Sequence, residues 1–269
     1  DYESCRVKAE QGYSEAQYNL GGSYEDGQGV LQDYKEAVKW YRLAAEQGFA
    51  EAQYSLGVRY DKGQGVLQDY KQAVKWYRLA SEQGIPLAQY NLGGMYDNGQ
   101  GVIQDYKQAV KWYIKSAEQG YFRAQNNLGV MYANGQGVIQ DYKESVKWFR
   151  LAAEQGGSKS QLMLGTMYVN GQGVIQDYKQ AVKWFRLAAE QGISEAQGLL
   201  GTMYYYGEGI PQDYKESFKW FQLAAEQGYA LAQLGLGNMY MNGQGVIQDY
   251  VMAHMYWNIA ASKGHKDAI

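Results

Sequence analysis

Two histidines, His254 and His265, and one cysteine, Cys5, are the side chains of this 269-residue chain best suited to metal binding or nucleophilic chemistry. Ten residues lie between the histidines, a poor spacing for a zinc pair on one helix, so both read as surface or core side chains. Cys5 cannot form an internal disulfide. It reads as a small apolar residue on a helix, with a reactive or intermolecular thiol as the alternative. Gly27-Gln28-Gly29 resembles a phosphate loop, but no strand pattern precedes it and no Gly-Lys-Ser/Thr follows. It recurs six times, with Gly207-Glu208-Gly209 in a seventh place, which reads as a turn. Lys35, Lys39 and Arg42 share one helical face, copied at Lys71/Lys75/Arg78, Lys143/Lys147/Arg150 and Lys179/Lys183/Arg186. Acids accompany each copy, so the stripe reads as a solvated outer face, with a nucleic-acid or anionic-surface contact as an alternative. No catalytic residue, cofactor site or metal site is expected, and the chain is not expected to be an enzyme.

Composition points the same way. The net charge is −3 and the pI about 5.6, so the whole-chain field does not favour nucleic acid. No run of 18 apolar residues exists, so no membrane span is expected, and no basic-then-apolar leader opens the chain. Aromatics are 15% of the residues, with 27 Tyr and 7 Trp, enough for a continuous core; only two prolines occur, which suits helices.

The elements that carry these side chains repeat. Glycine returns at 12, 48, 84, 120, 156, 192, 228 and 264, always 36 residues apart, and Gln32-Asp33-Tyr34 keeps the same beat. Such a period marks a repeat array whose units must stack to bury their apolar faces. Within one unit, Ala16, Leu20 and Tyr24 recur at helical spacing. That helix stops at Asp26-Gly27. Asp33 caps a second helix, with Glu36 placed for a capping box, and Tyr34, Ala37, Val38, Trp40, Tyr41, Ala44 and Ala45 form its inner face. Gly21 and its six equivalents sit mid-way along each first helix, which predicts a notch for the ring of Trp40 and its equivalents. The seven tryptophans, at 40, 76, 112, 148, 184, 220 and 257, are expected to be largely buried. The expected organisation is a partial repeat over 1–12, seven repeats forming one elongated domain over 13–264, and the truncated start of a further helix over 265–269.

The unit Ala16-Gln17, Leu20-Gly21, Tyr24, Gly27, Gly29-Val30, Gln32-Asp33-Tyr34, Ala37, Trp40, Ala44-Ala45 and Gly48 resembles the Sel1-like repeat, a relative of the tetratricopeptide repeat. The resemblance implies an all-α, right-handed α/α solenoid that serves as an adaptor or scaffold for protein partners. It also favours a bacterial source and an exported or periplasmic location. Some cysteine-rich relatives bind or hydrolyse β-lactams, which makes a cell-wall-ligand binder or hydrolase the alternative function. Those relatives carry a cysteine pair in each repeat, which this chain lacks.

Repeats also act as their own control. Positions identical in all units serve stacking; positions that differ lie at the surface and are free to be tuned to a ligand. The first helices vary most. Their variable face predicts a groove for an extended peptide or protein. Tyr18, Asn19, Tyr54, Tyr90, Asn91, Asn98, Asn127 and Asn134 form its polar part. Leu162, Met163, Leu199, Tyr205, Tyr206, Leu234 and Met241 form an apolar part, which either binds a partner or fills space between neighbouring first helices. In the last unit Val251, Met252, Met255 and Ile259 replace outer-face polar residues, either beneath a further helix or as a docking surface or dimer contact.

Overall fold

The computed structural model describes residues 2–262, and among them there are fifteen helices and no strand. The further helix expected at 265–269, and His265 with it, lies outside the described residues. The chain forms two compact units, residues 1–140 and 141–269. The first contains α1 (Tyr2–Glu10), α2 (Ser14–Asp26), α3 (Tyr34–Glu46), α4 (Ala50–Lys62), α5 (Tyr70–Glu82), α6 (Pro86–Asn98), α7 (Tyr106–Glu118) and α8 (Phe122–Asn134). The second contains α9 (Tyr142–Glu154), α10 (Ser158–Asn170), α11 (Tyr178–Glu190), α12 (Ser194–Tyr206), α13 (Tyr214–Glu226), α14 (Ala230–Asn242) and α15 (Tyr250–Ser262).

Each second helix starts where a side chain can serve orphan backbone donors. The Asp33 carboxylate accepts from the Lys35 and Glu36 amides at 2.8 and 3.2 Å, and Asp69 and Asp105 do the same for α5 and α7. The reciprocal half of a capping box does not form. The Asp33 N–H already donates to the Tyr24 carbonyl at 2.9 Å, and Glu36 turns instead to Lys39, 3.2 Å away. The preceding loop depends on Gly65. Its φ is +76°, and a Cβ there would run into the backbone carbonyl of Tyr34 in the repeat before. Gly101 seats on Tyr70 and Gly137 on Tyr106 in the same way.

The notch in the first helix is real, but its occupant is not the expected tryptophan. A Cβ on Gly57 would lie 2.7 Å from the ring of Tyr77, and Gly21 and Gly93 face Tyr41 and Tyr113 alike. One residue is a turn of about 100° around a helix, so the neighbouring Trp40-type ring points elsewhere. Trp76 joins the core cluster of the preceding repeat, with Ala37, Val38 and Tyr41 among its members, and Trp112 that of Ala73, Val74 and Tyr77. Only Trp257, shifted by one residue from the others, occupies a notch, at Gly237. Trp76, Trp112 and Trp184 are buried, whereas Trp40, Trp148, Trp220 and Trp257 are half-buried, so the expected burial holds for three of seven.

A second device holds neighbours together. The first-helix glutamines are buried. Gln53 donates to the Ala45 carbonyl at 3.1 Å and accepts from Gln83 at 2.8 Å. Gln161 and Gln191 repeat this in the second unit.

Candidate functional site

In the first unit, the variable first-helix face carries a ladder of tyrosines and acids. Tyr18, Tyr54 and Tyr90 are half-buried, with ring centroids 5.7, 6.0 and 5.7 Å from those of Tyr41, Tyr77 and Tyr113. The hydroxyls of the inner three tyrosines donate to carboxylates at the end of the same repeat's first helix. Tyr41 reaches Glu25 at 2.7 Å, Tyr77 reaches Asp61 at 3.1 Å and Tyr113 reaches Asp97 at 3.3 Å. Burial pushes the three tyrosine hydroxyls up, and the adjoining carboxylates push them further. Burial also raises Asp61 and Asp97, against the hydrogen bonds from Tyr77 and Tyr113, which lower them.

The pairing follows the sequence from repeat to repeat. Glu25, Asp61 and Asp97 are followed at the same position by Ala133, Val169, Tyr205 and Met241. The tyrosine sixteen residues after each acid is correspondingly replaced by Phe149, Phe185, Phe221 and Trp257. The hydroxyl is present where a carboxylate receives it. Both series are visible in the aligned repeats, although periodicity within either helix is silent about their pairing.

Glu25 has a cation of its own. Arg59, 5% exposed, extends one Nη to Glu25 at 3.0 Å and lies with its guanidinium 5.5 Å from the centre of the Tyr34 ring. Asp61 and Asp97 face a cavity of about 240 Å³ lined also by Tyr90, Asn91, Asn98, Tyr113 and Asn127. The Asn91 and Asn127 amides act on the Tyr77 and Tyr113 hydroxyls in the opposite sense to burial, lowering them. Three of the five expected groove asparagines therefore converge on one cavity. Asn98, the exposed member, also donates to its own helix at Gly94, 3.0 Å away. Asn134 is exposed beyond the cavity, 3.5 Å from Gln136, and Asn19 is exposed near the start of the unit.

In the second unit the equivalent face is apolar. Leu162 is buried, and Met163, Leu199, Tyr205 and Leu234 are half-buried. Leu199 and Leu162 belong to the cluster around Phe185 and Leu200, so these two fill inter-helix space. Tyr205 stacks edge-on to Tyr206 and Tyr214 and donates to Gln244 at 2.6 Å. Tyr206, 65% exposed, and Met241 are open to solvent. Val251 and Met255 are exposed on α15, while Met252 and Ile259 are half-buried.

The basic outer stripe is partly spoken for within the chain. Lys39 pairs with Glu36 at 3.2 Å and Lys147 with Glu144 at 3.1 Å. Arg42, Arg78, Arg150 and Arg186 each donate to a tyrosine hydroxyl of the next first helix, at 2.7 to 2.8 Å. His254 stands edge-on to Trp257, and the Cys5 thiol points to the Ala16 carbonyl at 3.4 Å. Among the described residues no group of three or more His, Cys, Asp or Glu side chains could hold a metal ion, and no helix is long and apolar enough to cross a membrane.

Comparison with known proteins explains the shared frame. The family model for the Sel1 repeat matches residues 14–49, 50–85, 86–121, 122–157, 158–193, 194–229 and 230–265. A protective antigen of uropathogenic Escherichia coli strains, c5321, described as displaying an SLR fold, is similar over 100% of this chain with 41% identity and a TM-score of 0.95. The chain spans 57% of that protein's length. A Sel1 repeat protein from Oxalobacter formigenes is 37% identical over 99% of this chain and 77% of its own, with a TM-score of 0.78. Comparison with curated proteins returns no match. With seven matched repeats and an all-helical architecture, the chain belongs to the Sel1 repeat family of α/α solenoids, generally non-catalytic scaffolds that typically mediate protein–protein interactions.

Proposed function

We propose that the chain is a non-catalytic scaffold whose first unit binds an extended segment of a protein partner along its first helices. The observation that carries this reading is the cavity between Asp61, Asn91, Asp97 and Asn127. At about 240 Å³ it falls below the roughly 300–1,000 Å³ of a drug-sized ligand site and suits one side chain of a longer chain. Half-exposed asparagine amides beside it both donate and accept, as a peptide backbone requires. The two partly buried carboxylates, which among the described residues have no ion pair of the kind Glu25 has with Arg59, favour a basic side chain in the cavity. In the second unit, Tyr206 and Met241 offer exposed apolar anchors for partner residues.

Selection of peptides from a random display library against the 269-residue chain tests this reading. Selected peptides should be enriched in Lys or Arg. Asn91→Ala and Asn127→Ala should each weaken the best of them by about 1–2 kcal/mol. Lys39→Glu on the outer face should leave the affinity unchanged. Binding that survives both asparagine changes and is lost with Lys39→Glu would place the partner on the other face.

A further inference from the structure

A row of side chains on a separate edge of the first unit has no role in the fold or in the groove. Leu31, Leu67, Ile103 and Ile139 are 90, 90, 91 and 91% exposed, each in the loop between a first and a second helix. Packing does not place them there. The preceding valines, Val30, Val66, Val102 and Val138, turn inward and are half-buried, with Val66 and Val102 against the core clusters. The loops are also neighbours. Gly65, Gly101 and Gly137 seat on the backbone of Tyr34, Tyr70 and Tyr106, three residues beyond Leu31, Leu67 and Ile103. The four aliphatic tips therefore stand one per repeat along a single edge. Scattered exposed leucines are ordinary, but a contiguous row is not.

We propose that this edge is a self-association surface that seats the same edge of a second copy of the chain. The row has a fixed spacing set by the repeat, and another copy carries a row of identical spacing. A two-fold contact between antiparallel edges would pair Leu67 with the partner copy's Ile103, and Leu31 with its Ile139. The flanking charges suit such a contact. Each tip is followed by an exposed aspartate and an exposed lysine, Asp33 and Lys35, Asp69 and Lys71, Asp105 and Lys107, so the edge is close to neutral and complementary to itself. A lipid surface is the poorer occupant, because the aspartates are fixed as helix caps beside the tips and the edge lacks the net positive charge that anionic lipid attracts. Four tips remove roughly 120 Å² each from water, and the exposed Gln32, Gln68 and Gln104 beside them bring the contact toward the roughly 800 Å² per partner of a stable interface.

The test uses the whole chain. Sedimentation velocity across a concentration series should show a monomer–dimer equilibrium. Leu67→Asp and Ile103→Asp should each raise its dissociation constant on the order of 30-fold or more, with the helical circular dichroism unchanged because both side chains are in solvent. With Cys5→Ser as background, Leu67→Cys mixed with Ile103→Cys should cross-link between copies through a short bis-maleimide faster than either variant alone. A chain that stays monomeric throughout, or a dimer untouched by Leu67→Asp and Ile103→Asp, overturns the proposal. So does a monomer that floats with anionic phosphatidylserine vesicles and loses that binding in the aspartate variants, which would assign the row to a membrane.

Discussion

Gln83 donates an amide proton to Oε1 of Gln53, 2.8 Å away, while Gln53 donates its own to the Ala45 carbonyl at 3.1 Å. Gln83 also donates to the Gly48 carbonyl at 3.0 Å. Two side chains thirty residues apart thereby join α5 to α4 and to the turn between α3 and α4. Gln53 is buried, so its amide is satisfied without water. Replacing it with leucine removes both bonds and leaves the Ala45 carbonyl to the Gly48 N–H, 3.0 Å away. Gln53→Leu should cost about 1–3 kcal/mol, read as a lower urea midpoint and as faster amide exchange in α4 and α5. Gln83→Leu, in solvent, should cost less.

The glycine notches give a paired prediction of opposite sign. A methyl group on Gly57 would meet the Tyr77 ring at 2.7 Å, so Gly57→Ala should destabilise by about 1–3 kcal/mol of overpacking, set against about 1 kcal/mol gained in helix propensity. At Gly22, on the adjacent position of the equivalent helix, the nearest atom is the Tyr41 hydroxyl at 3.8 Å. Gly22→Ala should therefore stabilise by up to about 1 kcal/mol. Thermal melts of the two variants check both signs.

Arg59 occupies a position where the third and fourth repeats have the buried Met95 and Met131. Its Nε is buried without a partner, and its charge is met by Glu25. Arg59→Met should cost little, because the carboxylate it leaves, Glu25, is partly exposed and still accepts from the Tyr41 hydroxyl. Glu25→Ala should cost about 2–4 kcal/mol by leaving the guanidinium uncompensated. In the double variant that loss should vanish. Urea titrations of the three variants complete the cycle, and additive single effects would show that the two charges are not coupled.

Alkaline stability should separate the tyrosine ladder from its phenylalanine counterparts. Unfolded tyrosine titrates near pH ~10, and burial raises Tyr41, Tyr77 and Tyr113 above that. The folded state then holds more protons than the unfolded one, so the stability these groups contribute is complete below pH ~10 and is lost as pH rises through their folded values. Changing all three to phenylalanine, the residue at 149, 185 and 221, should flatten the fall in stability between about pH 9 and 11. Urea midpoints measured across that range would show it.

Much of this was readable from the chain. Asp33 and its equivalents announce a helix start, Gly27 a helix stop, and the period fixes the number of units. What escaped had physical causes. Trp40 is the larger ring and so the natural candidate for the Gly21 notch, yet the single-residue step to Tyr41 changes the direction a side chain faces. The Tyr41–Glu25 bond joins two helices, so helical periodicity within either one is silent about it. Asn91, Asn98 and Asn127 stand out in the sequence because variation between repeats points to surface, whereas Leu162 varies and is nonetheless buried: a repeat can exchange one space-filling side chain for another. The exposed Leu31 row is hidden in the sequence because an apolar pair before a cap reads as core, and only the fold separates Val30, turned in, from Leu31, turned out.

The seat of Gly65 on the Tyr34 backbone recurs for Gly101 on Tyr70 and Gly137 on Tyr106. Every junction of this kind is interchangeable with the next. A recombination event that duplicates or deletes one 36-residue block would join surfaces that already fit, with no core to redesign. Chain length is thus a trait that inheritance can change in one step, in whole repeats, while point mutation at a seating glycine is confined by the carbonyl beneath it. Such an architecture lets a lineage lengthen or shorten its array faster than it can alter the joint that holds it together.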